Sequence, residues 1–165
     1  MRRLTILSIL VLSYMFSRAQ CVLLDEQWRP KINRAISLVQ KTDPMIFETI
    51  KKAYIQAGEI RCKQMNAFSQ LEYRYNKEIP WIMLDREALD EFDYKMIASI
   101  LLHEAWHLLL WDHGNGKNWG DMTNQEQNEE HRFIYTNQIA FLKKVNADDS
   151  YIYHYKCIMS QLGIN

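Results

Sequence analysis

The sequence predicts a predominantly helical α+β fold. Apolar residues recur at helical spacing in several long segments, and two short segments between residues 60 and 85 have strand-like patterns. The chain of 165 residues is the size of one ordinary domain with an adequate core. We therefore expect a single domain in which a small sheet packs against helices.

The N-terminal end, residues 1–19, has the organisation of a secretory signal peptide. Two arginines precede an apolar run over residues 4–16, and small residues lead to a cleavage position after Ala19. The run is too short to span a bilayer as a helix. We expect export to the periplasm or the exterior, with residues 20–165 as the mature domain and no stable membrane span. An alternative is cleavage before Cys21 and lipid attachment there, as in bacterial lipoproteins.

Charge argues against a nucleic-acid partner. The chain has 20 basic and 20 acidic side chains, and residues 1–19 contain three of the basic ones and none of the acidic ones. The mature domain therefore has a formal charge of −3. No stripe of basic residues stands out, so the composition gives no sign of nucleic-acid binding.

The three cysteines are Cys21, Cys62 and Cys157. An exported protein meets oxidising surroundings, in which cysteines form disulfides. We favour a Cys62–Cys157 bridge, with Cys21 left over. A simple buried thiol is the alternative for each of them.

Two amphipathic helices are predicted at the start of the mature domain. The first has Pro30 near its beginning and an apolar face at Trp28, Ile32, Ile36 and Val39. Asp43-Pro44 is typical of an N-cap followed by proline at the first helical position. The second helix is predicted from there to about Gly58, with apolar positions at Ile46, Ile50, Ala53, Tyr54 and Ala57.

Strands are predicted in the middle of the chain. Residues 71–75 alternate between apolar and polar side chains, and residues 79–84 form a short apolar run that contains Pro80. A proline restricts a strand to the edge of a sheet or places it at the strand's beginning. Residues 85–92 form an acidic segment that leads into the next helix.

The next helix, residues 94–111, is apolar on nearly every side and contains the HExxH sequence His103-Glu104-Ala-Trp-His107. Residues four apart lie on one side of a helix, so the two imidazoles can face one point. Neutral imidazole nitrogens suit Zn²⁺, and Glu104 can act as general base toward water activated by the metal. The alternative is a structural role, with histidines bonded to the backbone and Glu104 in a salt bridge.

A hydrolytic zinc site needs a third protein ligand, and two residues compete for that role. His113 lies six residues after His107, the spacing of the HExxHxxGxxH pattern. That pattern has a glycine at which the chain turns sharply, whereas this chain has Leu110 there. Leucine is poor at positive φ, so we expect the helix to continue and His113 to face elsewhere.

The second candidate ligand is Glu130, on a helix that runs from the capping box Thr123…Glu126 to about Val145. Its core face is predicted from Phe133, Ile134, Ala140, Phe141 and Val145. Stepping back three and four residues from Phe133 and Ile134 reaches Glu130. The remaining alternatives are Glu126, Glu129 and Asp112, or carboxylates that merely favour the helix N-terminus.

The segment over residues 96–107, followed by a glycine-containing loop and a helix that opens with Glu129-Glu130, resembles the active-site core of zincin-like metalloproteases, most closely the gluzincins. The resemblance spans roughly residues 79–141. It implies a zincin-like core: zinc at His103 and His107, Glu104 as general base, and a glutamate ligand, best placed at Glu130, on the second helix. It also implies an edge strand beside the HExxH helix, with residues 66–69 as the lip of a peptide groove.

A short helix is predicted over residues 151–161, after a loop at 146–150. Hydrolysis needs a donor to the oxyanion of the attacked carbonyl, and the candidates are His131, Tyr135, Tyr153 and His154. The sequence therefore predicts an exported zinc metallopeptidase that acts on peptides or proteins. The alternative is a non-catalytic envelope protein or lipoprotein that uses the same scaffold to bind a partner.

Overall fold

A mixed four-stranded sheet lies against the helices of the domain. The computed structural model describes residues 22–23, 26–58, 68–73, 80–113 and 121–164. The strands are β1 (Val22–Leu23), β2 (Tyr54–Gly58), β3 (Ser69–Tyr73) and β4 (Pro80–Asp85). Their order is β1-β2-β4-β3, in which β1, β2 and β4 run parallel and β3 runs antiparallel to β4. The prediction of a predominantly helical α+β protein with a small sheet is confirmed.

The first two helices are α1 (Arg29–Thr42) and α2 (Pro44–Ile50). The side chain of Asp43 accepts a hydrogen bond of 3.2 Å from the backbone N–H of Ile46, so it caps α2 as expected. One face of α1 is buried against the core, at Ile32, Ala35, Ile36 and Val39. Both helices pack on the HExxH helix.

The prediction that the second helix continues to Gly58 is wrong. The helix ends at Ile50, and Tyr54–Gly58 is the strand β2, hydrogen-bonded between β1 and β4. Ile55 and Ala57 are buried in alternation with partly exposed neighbours. Over five residues this alternation cannot be told from a helical stripe by apolar spacing alone, and pairing with two strands decides the conformation.

Pro80 is the first residue of β4, one of the two positions expected for a proline in a strand. The strand itself is central, between β2 and β3, so β3 lies at the edge of the sheet formed by the described strands. Residues expected to be only an acidic lead-in form a further short helix, α3 (Arg86–Glu91). Its N-cap is Asp85, whose side chain accepts from the N–H groups of Glu87 and Ala88.

The HExxH helix, α4 (Tyr94–His113), is central to the fold because it contacts α1, α2, β3 and the following helix. That following helix is α5 (Asn124–Lys144), which begins at the predicted capping box between Thr123 and Glu126. The last helix is α6 (Asp149–Gln161), which packs on α5. None of the helices in the described part of the chain is long and apolar enough to cross a membrane.

Several expectations concern residues at the ends and in the middle of the chain. The signal peptide, the cleavage position after Ala19 and the alternative lipid site at Cys21 lie outside the described residues, as does Cys62. Cys157 is a free, partly buried thiol, and the predicted Cys62–Cys157 disulfide involves a residue outside the described part of the chain.

Candidate metal centre

The two histidines of the HExxH sequence face each other across one turn of α4. The Nε2 atoms of His103 and His107 lie 3.0 Å apart. The ring centroids are separated by 4.7 Å, and the planes meet at 68°. The prediction that both imidazoles face one point is therefore met by the geometry.

The tautomer of His103 is fixed by Gln138 of α5. The Oε1 atom of Gln138 lies 2.9 Å from Nδ1 of His103. The amide nitrogen of the same side chain donates to the backbone carbonyl oxygen of Ser99 at 2.9 Å. Because a carbonyl oxygen can only accept, the orientation of the amide is determined, and Nδ1 of His103 must donate to Oε1. In the neutral ring, Nε2 of His103 then has the lone pair.

The tautomer of His107 is fixed in the same way by Glu130. Oε1 of Glu130 lies 2.5 Å from Nδ1 of His107, and both side chains are mostly buried. A carboxylate accepts, so Nδ1 of His107 donates and Nε2 of the neutral ring has its lone pair. A carboxylate on the outer nitrogen of a histidine is the arrangement that orients metal-binding imidazoles.

With both rings neutral, two lone pairs face each other at 3.0 Å, an arrangement that a metal ion bound by both nitrogens, or a proton shared between them, stabilises. Nitrogens that share one tetrahedral zinc at about 2.0–2.1 Å lie roughly 3.3–3.4 Å apart, close to the separation seen here. Burial and the neighbouring His107 lower the pKa of His103 well below its ordinary value. A proton is therefore disfavoured on His103, and its Nε2 is left as an acceptor for a metal ion or for an N–H of His107.

His131 is the third histidine of this cluster. One ligand atom from each of His103, His107 and His131 can be chosen so that all lie within 4.8 Å of one another. Burial and the neighbouring His107 lower the pKa of His131 to about 4. Glu130 and a hydrogen bond to the backbone of Gln127 act in the opposite direction but have smaller effects on this pKa. The ring is therefore neutral at physiological pH, the form that binds a divalent cation.

The structure places Glu130 differently from the expectation that it supplies the third ligand. Its carboxylate contacts the outer nitrogen of His107, on the opposite side of the ring from His103. The expectation depended on Phe133 as a core position, but Phe133 is 43% exposed. The buried residues of α5 are Ile134, Gln138, Phe141 and Leu142. His131 lies three residues before Ile134 and seven before Gln138, so it is on the same face of the helix.

The other carboxylates that were weighed as ligands have local partners. Glu126 belongs to the capping box with Thr123, and exposed Glu129 accepts from Gln125 at 2.9 Å. The helix continues past Leu110 to His113, as expected from the missing glycine. The side chains of Asp112 and His113 lie outside the described part of the structure.

Glu104 is buried, with 4% of its surface exposed, on the helix that positions the two histidines. The hydroxyl of Ser69, the first residue of the edge strand β3, donates to its Oε1. Burial raises the pKa of Glu104, while His107 and the Ser69 hydroxyl act in the opposite direction. A raised carboxyl pKa suits a general base that must take up and release a proton near neutral pH.

Tyr135 lies closest to the histidines among the tyrosines considered as oxyanion donors. Its ring is stacked on His131 at 5.4 Å and lies 5.3 Å from the ring of His103. Burial and the charge of Glu104 raise the pKa of Tyr135 to about 12, so the phenol remains a donor at neutral pH.

Tyr153 and His154 of α6 have other surroundings. Tyr153 is 69% exposed, and the neighbouring Cys157 raises its pKa. The ring of His154 packs against Phe68 at 5.1 Å. Neither residue shows a ring contact with the three histidines of the cluster in the described structure.

Sequence reasoning did not identify Gln138 as part of this site, placed Ser69 only at the lip of the peptide groove, and considered His131 only as an oxyanion donor. A signal for His131 and Gln138 exists, because they lie at helical spacing from Ile134 and Tyr135, on one face of the helix.

Comparison with protein-family models, with curated proteins and with solved structures gives no match for this chain.

Proposed function

We propose that the chain is an exported zinc-dependent peptidase, in which His103, His107 and His131 hold the metal. The observation that carries this proposal is the pair of facing Nε2 atoms, 3.0 Å apart, whose rings have their outer nitrogens engaged. Three neutral imidazoles are a donor set that suits a catalytic zinc, which keeps a further position open. Export is inferred from residues 1–19.

Glu104 is the general base in this proposal. It follows His103 directly on α4 and is held by the Ser69 hydroxyl at the edge of the sheet. Zinc, when bound, would polarise the scissile carbonyl and make the attacking water more acidic. Glu104 takes the proton from that water and passes it to the leaving amine. Tyr135 is placed to donate a hydrogen bond to the oxygen of the attacked carbonyl.

The substrate groove runs along β3 in this proposal. Among the described residues β3 pairs with β4 alone, and its other edge would accept an extended peptide by strand addition. Ser69 connects this edge to the base, because its hydroxyl contacts Glu104. Phe68 lies directly before β3, and residues 66 and 67 of the predicted lip are outside the described residues.

The test is zinc content and cleavage of a peptide library by the purified protein and its Glu104→Gln variant. We expect the wild type to contain one zinc per chain and Glu104→Gln to retain it while losing about 100- to 10,000-fold in turnover. Glu129→Gln, an exposed glutamate on α5, is the matched control and should cleave like wild type.

Two results would contradict the proposal. Equal turnover by Glu104→Gln and wild type would exclude Glu104 as the base, and a protein without affinity for zinc would exclude the metal centre. Zinc binding without cleavage of any peptide would instead favour a non-catalytic protein that uses this scaffold to bind a partner.

A further inference from the structure

A buried polar network connects the candidate metal centre to the C-terminal helix. It consists of Ser99 on α4, Gln138 on α5 and Tyr155 on α6, which are 0%, 1% and 3% exposed. The amide nitrogen of Gln138 lies 2.9 Å from the Ser99 carbonyl oxygen and 2.9 Å from the Tyr155 hydroxyl. The same amide nitrogen lies 3.2 Å from the Ser99 hydroxyl.

The network determines which way the Gln138 amide faces. Its nitrogen has two hydrogens, and the Ser99 carbonyl and the Tyr155 hydroxyl can accept both. A flipped amide would place its oxygen next to the Ser99 carbonyl oxygen, with no proton between the two acceptors. The buried N–H groups of Gln138 would then no longer donate to Ser99 and Tyr155. Buried polar groups without partners are costly, so the flipped amide is disfavoured.

The orientation of the amide in turn determines the state of His103. With Oε1 of Gln138 at 2.9 Å from Nδ1 of His103, the proton of the neutral ring belongs on Nδ1. The Nε2 atom that faces His107 is then free of a proton. The opposite tautomer would place a proton on Nε2, where a metal ion would bind.

We propose that Gln138, held in place by Ser99 and Tyr155, is a positioning residue that selects the metal-binding tautomer of His103. This inference rests on the proposed function, because it assigns a role toward the zinc of that site. It goes further in making the C-terminal helix part of the metal centre: the Tyr155 hydroxyl acts on zinc binding through the Gln138 amide.

Three variants of the full-length protein test the proposal. Gln138→Met keeps the length of the side chain and removes the acceptor for His103, whereas Gln138→Glu keeps an acceptor but loses the donation to Ser99 and Tyr155. Tyr155→Phe removes only the hydroxyl. The matched control is Tyr151→Phe, one turn earlier on α6, whose ring packs against Phe92.

Two measurements separate positioning from a structural contribution. The first is zinc affinity, from competition with a chromophoric chelator, alongside the free energy of unfolding in urea. The second is the pair of ¹⁵N chemical shifts of the His103 ring in the metal-free protein, which identifies the protonated nitrogen.

We expect Gln138→Met to lose about 10- to 100-fold in zinc affinity, the range for removal of an outer partner. Its His103 ring should be a mixture of tautomers. Gln138→Glu should keep the proton on Nδ1 and retain most of the affinity even though it is destabilised. Tyr155→Phe should fall between wild type and Gln138→Met, and Tyr151→Phe should match wild type.

The proposal is overturned if Gln138→Met keeps wild-type zinc affinity and the Nδ1 tautomer. It is also overturned if both Gln138 variants lose affinity in parallel with their stability, which is the result of a purely structural role. If the wild type binds no zinc, the proposed function fails, while the ring nitrogen shifts of the metal-free variants still decide whether Gln138 selects the tautomer.

Discussion

Replacing Glu130 and His131 one at a time distinguishes a residue that orients a zinc ligand from a residue that is itself a zinc ligand. In the structure the Glu130 carboxylate lies 2.5 Å from Nδ1 of His107, and His131 belongs to the cluster of imidazoles. Glu130→Ala therefore removes one charge-assisted hydrogen bond, and His131→Ala removes one of the three imidazoles that we propose as zinc ligands. The two neighbouring positions are expected to give clearly different zinc affinities.

The size of the Glu130 effect follows from that contact. Hydrogen bonds to charged groups contribute about 1.5–3 kcal/mol, and about 1.4 kcal/mol corresponds to a tenfold change in affinity. Glu130→Ala should therefore weaken zinc binding by roughly 10- to 150-fold, close to the range of about 10- to 100-fold for outer partners of metal ligands. Glu130→Gln keeps an acceptor of the same length and should weaken binding less.

His131→Ala should weaken zinc binding by more than the roughly 100-fold that is the upper end for an outer partner of a metal ligand. The variant should retain no zinc after dialysis. The assay is competition with a chromophoric chelator at neutral pH, with metal content measured after dialysis. If Glu130→Ala loses its zinc and His131→Ala keeps it, the assignment is reversed: Glu130 is the ligand, as the resemblance to gluzincins implied. His113→Ala in the same series tests the remaining candidate from the sequence.

Three further predictions concern the stability of the fold, each measured by urea unfolding. Ile46→Ala should lower the free energy of unfolding by about 2–5 kcal/mol because Ile46 is fully buried. Met45 is 54% exposed on the same helix, so Met45→Ala should change the free energy of unfolding by about 0.5 kcal/mol or less. Equal losses in the two variants would contradict the packing of α2. Thr123→Ala should cost about 0.5–2 kcal/mol through loss of the capping box, and Thr136→Ala, exposed on the same helix, should cost nothing. The side chain and backbone of Ser150 hold the pKa of Asp148 below its ordinary value. A depressed carboxyl pKa stabilises the fold above that pKa, so the stability difference between wild type and Asp148→Ala should be present at neutral pH and disappear as the pH falls below about 4; a difference independent of pH would refute this.

Local signals in the sequence were sufficient for most helix starts. The caps at Asp43 and Thr123 are formed by side chains within three residues of the N–H groups that they bond, so no distant contact is needed to recognise them. The strand β2 has no such signal. Its conformation depends on pairing with β1 and β4, and β4 is more than twenty residues away in the chain. Apolar spacing alone therefore extended the preceding helix into it.

The candidate site shows why apolar spacing also misjudges the helix face that lines a polar site. Residues along a helix are rotated by about 100° per position, so a shift of one residue exchanges Glu130 for His131. On α5 the face toward α4 has the polar residues His131 and Gln138, which reach the two histidines of the HExxH sequence. A face estimated from apolar residues is drawn toward Phe133, which is exposed and whose ring meets the ring of Trp106 edge to face. A polar residue at helical spacing from a buried one, such as Gln138 four residues after Ile134, is therefore the better guide to the face of a helix that lines such a site.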